Sequence, residues 1–176
     1  MKRALSLLLV LVLVLCAIPA LTLPAAAEDT VTVRNYTNIA RSKPVKTGND
    51  SAFQNGSYLT DGGYGGTGVD ISWGSLSSPN ANCYAIVDLG DTYTVNGVKF
   101  ANYADTGRYY CWEIYASNDQ ASWTLIAQKK SAQPSISGGY YVETEEIDAR
   151  YIKVAATYNS ANSCYHFVEL EVYSPD

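Results

Sequence analysis

Apolar and polar residues along this chain alternate with a period of two; they do not recur every three or four positions. Trp112, Ile114 and Ala116 alternate with Cys111, Glu113 and Tyr115. Ile152 and Val154 alternate with Tyr151 and Lys153, and Leu170 and Val172 with Glu169 and Glu171. A strand with one face buried and the other wet gives this pattern. Runs rich in Val, Ile, Tyr and Trp, bounded by Gly, Asn, Asp and Ser, predict strands at Tyr84–Leu89, Val95–Asn102, Tyr109–Ser117, Trp123–Gln128, Tyr140–Thr144, Tyr151–Ala156 and Val168–Tyr173. No stretch holds a 3.6-residue apolar period over three turns. Short strands at regular spacing with turns between them predict an all-β fold, an antiparallel β-sandwich.

The first residues follow a different pattern. Lys2 and Arg3 precede an apolar run from Leu5 to Leu15, and Ala25-Ala26-Ala27 follows. This is the layout of a removable signal peptide over residues 1–27, ahead of a lead-in over 28–36 and one domain over 37–176. The run is short for a membrane span, and Pro19 and Pro24 break its tail. Cys16 follows Leu15, not a small residue, so lipidation is not expected. The expected location is outside the cell, secreted or at the cell surface.

Charge narrows the partners. Twelve basic residues stand against seventeen acidic ones, a formal net charge of −5, and removing Lys2 and Arg3 makes the chain more acidic still. Nucleic acid and anionic membrane both favour a basic face, so neither is an expected partner. Cys83, Cys111 and Cys164 remain after processing, an odd count that allows at most one internal bridge. None has C-x-x-C spacing, which argues against a zinc or redox motif.

One stretch imitates a nucleotide loop. Gly63-Tyr64-Gly65-Gly66-Thr67-Gly68 has the letters G-x-G-x-x-G, and Asp88 follows about twenty positions on. That loop needs a helix after it to hold the pyrophosphate. Here Val-Asp-Ile-Ser-Trp-Gly-Ser follows, which opens no helix. The stretch is a turn-rich connection or a metal-binding loop.

Several segments, in order, resemble the discoidin, or coagulation factor V/VIII type C, family, and in particular its bacterial relatives, the family 32 carbohydrate-binding modules. They are "NIARSKPV" from Asn38, "LTDG" from Leu59 with Trp73 after it, and "YAIVDLGDTYTVNGVKF" from Tyr84. "GRYYCWEIYASND" from Gly107, "ARYIKVAA" from Ala149 and "FVELEVY" from Phe167 complete the set. The resemblance implies a jelly-roll β-sandwich without catalytic activity. It also implies a structural calcium ion held by Asp61, the Gly63 carbonyl and Glu169, with the Val168 carbonyl beside them. Ile71 stands where the family often has threonine, and Asp70 is the residue placed to compensate. Calcium suits such a site because it accepts six to eight oxygens in loose geometry.

The same resemblance marks a sugar-binding end. Arg108 stands where family members often carry an arginine four residues before a strand aromatic, here Trp112. Asn102, Tyr103 and Asp105, in the loop before it, add hydrogen-bonding groups. Family members often place an aromatic from the loop before the last strand at the sugar. Tyr165 and Phe167 are the candidates, one expected to face inward, with His166 between them as a packed or sugar-contacting residue. If the jelly-roll strand order holds, the three cysteines gather at this end, and a bridge from Cys164 to Cys83 or Cys111 is expected.

Hydrolytic alternatives are weaker. His166 and Cys164 share a spacing but lack a third orienting group. Glu143, Glu145, Glu146 and Asp148 form a short acidic run, as solvated turns do. The expected function is that of a secreted, non-catalytic carbohydrate-binding module acting as a small lectin. The alternative is an adhesin or accessory module that binds a protein or cell-wall component on the same scaffold. The sequence leaves the sugar and the oligomeric state open.

Overall fold

The computed structural model describes residues 36–47, 56–65, 69–72, 83–105, 107–162 and 164–175. The proposed signal peptide and most of the lead-in lie outside them. Among the described residues, eight strands and one short 3-10 helix follow in order: β1 Thr37–Asn38, β2 Val45–Thr47, the helix Gly56–Thr60, β3 Val69–Ser72, β4 Tyr84–Asn102, β5 Tyr110–Ser117, β6 Thr124–Lys129, β7 Tyr140–Asn159 and β8 Cys164–Ser174. Every pairing is antiparallel.

Two strands are long enough to serve both layers of the sandwich. β4 runs 19 residues and β7 runs 20, and they pair along most of their length. Each joins two of the stretches predicted separately. The ladder breaks between Asp88 and Tyr93, where Gly90 takes a left-handed φ of 87°. Glycine tolerates that conformation at no steric cost. Across the break, Arg150 of β7 donates two hydrogen bonds to Asp88 of β4, at 2.9 and 3.1 Å. This fork holds Asp88 below the usual carboxylate range, and Arg150 is the first cause. On one side of the bend, β8 pairs with the end of β4 and with β1 and β3; on the other, β5 pairs with the end of β7 and with β6, and β2 pairs with the start of β4.

The core fills the space between the two layers. Phe100 of β4 meets Trp112 of β5 edge-to-face, with ring centroids 5.6 Å apart. Ile114, Ile152, Val154, Leu170 and Val172 are buried as their alternation predicts. The outward face of β8 is a different matter. Glu169 is 0% exposed, because the 3-10 helix and the residues after it lie against this strand.

An extra residue in β8 changes which side chains face inward. Ala101 pairs with Glu169 but Asn102 pairs with Phe167, so Val168 is surplus to the ladder. Such a bulge places two successive residues against one and shifts the side-chain parity beyond it. Leu170 and Val172 point into the core after the bulge, and Tyr165 and Phe167 point into it before. Both aromatics are 0% exposed, which corrects the expectation that one faces out. Alternation read without a bulge puts Phe167 on the opposite face from Leu170 and Val172.

Phe167→Ala is therefore expected to cost about 3–5 kcal/mol in urea denaturation, as for a core aromatic. A surface phenylalanine would lose less than about 0.5 kcal/mol.

Candidate functional site

The loop after β4, the residues before β5 and the start of β8 meet at one end of the sandwich. Gly107, with a φ of 80°, turns the chain so that the Arg108 amide donates to the Asp105 carbonyl at 3.3 Å. The Arg108 carbonyl accepts from Ser135 at 2.8 Å, which ties the turn to the loop between β6 and β7. The Arg108 side chain is then held from several directions. Nη1 donates to the Tyr110 hydroxyl at 3.3 Å, Nη2 lies 3.6 Å from Asp105, and the guanidinium sits 5.3 Å from the Tyr103 ring centre. Its Nε is buried without a partner. The bond to Tyr110, and then Asp105, favour the charged form.

Tyr110 links this arginine to the histidine. Its hydroxyl lies 2.6 Å from His166 Nδ1. Arginine can only donate, so the Tyr110 oxygen accepts from it. The His166 ring also lies 5.5 Å from Tyr103, which therefore stands between an imidazole and a guanidinium. Asn102 donates to the His166 carbonyl at 2.9 Å and is 6% exposed.

The structure thus brings Asn102, Tyr103, Asp105, Arg108 and His166 together. Asn102 orients the start of β8, and His166, 7% exposed, presents little more than an edge. Tyr165 and Phe167 support the site from the core: Tyr165 donates to the Cys111 carbonyl at 3.0 Å and its ring meets Tyr110 at 5.0 Å. Four contributors are not predicted by the sequence. Tyr110 is the hydroxyl relay. The rings of Tyr109 and the exposed Tyr158 meet with centroids 5.4 Å apart, in line with the outward parity of Cys111. Lys129, only 8% exposed, donates to the carbonyls of Tyr110, Ser131 and Gln133 at 2.8 to 3.0 Å.

Cys83 and Cys111 are free thiols, so neither is bridged to Cys164, whose side chain lies outside the described residues. Cys111 is on the outer face of β5, with its sulfur toward the Ser131 carbonyl, while Cys83 is buried in the core. The expected bridge is corrected on that geometry.

The proposed metal residues meet on the outer side of β8. The Gly62 amide donates to Glu169 Oε1 at 3.0 Å, and the Gly63 amide to Asp61 Oδ1 at 2.6 Å. Gly62 has a φ of 78°, and the Arg41 guanidinium lies where a side chain at 62 would go. Glu169 Oε2 is buried with no hydrogen-bond partner. Burial raises the Glu169 pKa to about 8, and Asp61 and Glu171 push the same way. Val168 is the bulge residue next to it. Asp70 pairs through its backbone with His166, and its side chain lies outside the described residues, as does Trp73. Among the described residues, no three acidic, histidine or cysteine side chains converge as a metal cluster.

The F5/8 type C domain model matches residues 38–170. The chain belongs to the F5/8 type C domain family. Among solved structures, this F5/8 type C domain is similar to the CBM32 of AlyQ in complex with 4,5-unsaturated mannuronic acid. The TM-score is 0.57 and the identity 26%, over 73% of this chain and 92% of that one. It is similar to chitosan-binding module 2 from a chitosanase/glucanase of Paenibacillus sp. IK-5, in complex with chitotriose, with a TM-score of 0.57 and 23% identity over 78% of this chain and 100% of that one. The family 89 glycoside hydrolase of Clostridium perfringens matches with a TM-score of 0.63 and 21% identity, over 78% of this chain and 14% of that one. The BTB/POZ domain-containing protein 9 of Homo sapiens is 26% identical over 86 residues, which is 49% of this chain; the match spans only 14% of that protein. The F5/8 type C domain and its similarity to carbohydrate-binding modules accord with the antiparallel sandwich described above.

Glu169 sets a pH dependence for the metal-free domain. Its folded pKa of about 8 lies above the ordinary value of 4.5, so the folded state holds the proton more tightly. The stability this contributes is full below pH 4.5 and is lost as pH rises through about 8. With chelator present, urea midpoints are expected to fall between pH 5 and pH 8. Glu169→Gln is expected to flatten that trend and gain roughly 2–4 kcal/mol at the upper end.

Proposed function

We propose that this F5/8 type C domain is an exported, non-catalytic glycan-binding module whose ligand sits at the Arg108 end. The observation that carries this reading is the Arg108 cluster itself. The guanidinium is fixed by Tyr110 and Asp105 and sits over the Tyr103 ring, and Tyr109, the next residue along, pairs its ring with the exposed Tyr158. A pyranose offers an apolar C–H face, which suits aromatic rings, and a rim of hydroxyls, which suits charged and amide groups. Asp105 accepts where the guanidinium donates. Similar modules have been solved in complex with sugars, among them 4,5-unsaturated mannuronic acid and chitotriose, which supports a glycan as the class of ligand. Asp105 is already paired with Arg108, which favours binding over acid–base chemistry. The basic start and apolar run of residues 2–15 support export.

A glycan array at fixed calcium, followed by calorimetry on the best ligand, tests the reading. Arg108→Ala is expected to weaken binding at least about tenfold, and Tyr158→Ala several-fold, without a change in melting temperature. An array with no signal, or an Arg108→Ala variant that binds as the parent does, defeats it.

A structural calcium ion is the second part of the proposal. Asp61, Glu169 and the Gly63 and Val168 carbonyls are the donors, and the orphaned Glu169 oxygen is the supporting feature. An ion there would remove the penalty of a buried carboxylate beside a second one. At pH 8, calcium at a hundredfold excess over Kd is expected to stabilise the parent by about 2.7 kcal/mol. Glu169→Gln is expected to abolish that response. A parent melting temperature indifferent to chelation rejects the ion and leaves the glycan reading standing.

A further inference from the structure

The ladder between β4 and β7 is irregular at one more place. Val95 pairs with Ile147, and Gly97 with Glu143. Asn96 of β4 thus faces Thr144, Glu145 and Glu146 of β7, and the surplus makes β7 arch away from its partner. Val95 and Val98 both belong to the core, so the two residues between them turn outward, under the arch. The result is a cleft of about 600 Å³ lined by Asn96, Glu143, Thr144, Glu145 and Glu146. It lies roughly 20 Å along β4 from Asn102, at about 3.3 Å per residue.

Two side chains in the wall of this cleft carry unmet polar atoms. Asn96 is 3% exposed, and neither its carbonyl oxygen nor its amide nitrogen has a hydrogen-bond partner. Thr144 Oγ1 is buried without one as well. Leaving a buried amide unmet is costly. Among the described residues, Glu143, Glu145 and Glu146 form no salt bridge. Beside them Tyr141, 46% exposed, lies over Gly97, where an added Cβ would fall 2.6 Å from its hydroxyl oxygen. Glycine at 97 therefore makes room for a flat aromatic surface at this edge.

We propose that this cleft is a second binding site, for a protonated amino sugar within a glycan chain. An amide with both its donor and its acceptor unmet is matched by a hydroxyl, which supplies both. Three unpaired carboxylates attract an ammonium group and repel an acidic sugar. An exposed tyrosine takes the apolar face of a pyranose. A bare divalent ion fits worse: no three carboxylates converge on one point, and a metal does nothing for the amide N–H. Because the cleft stands apart from the Arg108 end, one long glycan can engage both sites and gain avidity without new contacts.

The proposal is tested by titrating the isotope-labelled full chain with chitotriose, and separately with its fully N-acetylated counterpart, at pH 6. Chitotriose is expected to shift the amides of residue 96 and residues 141–146, less so as salt is raised. The shifts are expected to persist in Arg108→Ala. The double variant Glu145→Gln, Glu146→Gln, both at exposed positions, is expected to weaken this binding about tenfold, as for a lost charge-assisted contact. The acetylated trimer is expected to leave these amides unmoved. Shifts that vanish in Arg108→Ala, that survive the double glutamine variant, or that the acetylated trimer reproduces would overturn the second site. So would calcium moving these amides where chitotriose does not. Loss of binding confined to Arg108→Ala would leave the first site intact, so the two failures are distinguishable.

Discussion

The surplus residue Val168 in β8 is the constraint on which the Arg108 end depends. It lets one strand send Tyr165 and Phe167 into the core ahead of it, and Leu170 and Val172 after it. The same residue pair that breaks the ladder, Val168 and Glu169, lies against the Asp61 loop, while His166 reaches the Tyr110 hydroxyl. Without the bulge, an unbroken period of two would bring Glu169 or Phe167 to the wrong face. Burying an unpaired carboxylate in the core or exposing a phenylalanine would each be costly. The strand therefore fixes both the packing of the core and the positions of two candidate sites.

The paired strands β4 and β7 make the rest possible. Because both continue through the bend, the two layers are covalently joined twice, and the Asp88–Arg150 fork sets the corner. One end of these strands leads to Asn102 and Tyr103, and the other part of the same ladder opens over Asn96. Lys129 completes the framework of the Arg108 end. Its buried ammonium gathers three carbonyls from β5 and the loop that follows β6, and that loop holds the Arg108 carbonyl through Ser135. An ammonium that meets three acceptors is tolerated in burial because its charge is matched by fixed dipoles.

What the sequence disclosed, and what it hid, follows from the range of each interaction. Alternation is local, so Trp112, Ile114, Ile152, Val154, Leu170 and Val172 were placed correctly on their inward faces. β1, β2 and β3 are two to four residues long, too short to show a period, and they exist only through partners far along the chain. The bulge was hidden because residues 165–172 are mostly apolar or aromatic and give no sign of a parity change. Arg108 was legible because it belongs to a segment resembling the family, and Tyr103 and Asp105 because they lie in the loop just before it. Tyr110 was not singled out as a partner of His166, since a separation of 56 residues leaves no local trace. The bridge expected from Cys164 to Cys83 or Cys111 is absent, since both of those thiols are free.

Unmet buried polar groups tie these observations together. Such atoms are uncommon in folded proteins, since each forfeits its hydrogen bonds to water and gains nothing in return. Among the described residues they are Asn96 Nδ2 and Oδ1, Arg108 Nε, Trp112 Nε1, Thr144 Oγ1 and Glu169 Oε2. Only the indole of Trp112 belongs to the core alone. The others fall at the Arg108 end, beside Asp61, and under the arch of β7. Two of those places coincide with a register shift in the sheet, the bulge at Val168 and the mismatch at Asn96. A shift in register disturbs the packing of one strand on the next, and at both places unmet side-chain atoms lie beside it. Each of them lowers the stability of the folded domain, because its hydrogen bonds to water are lost on burial.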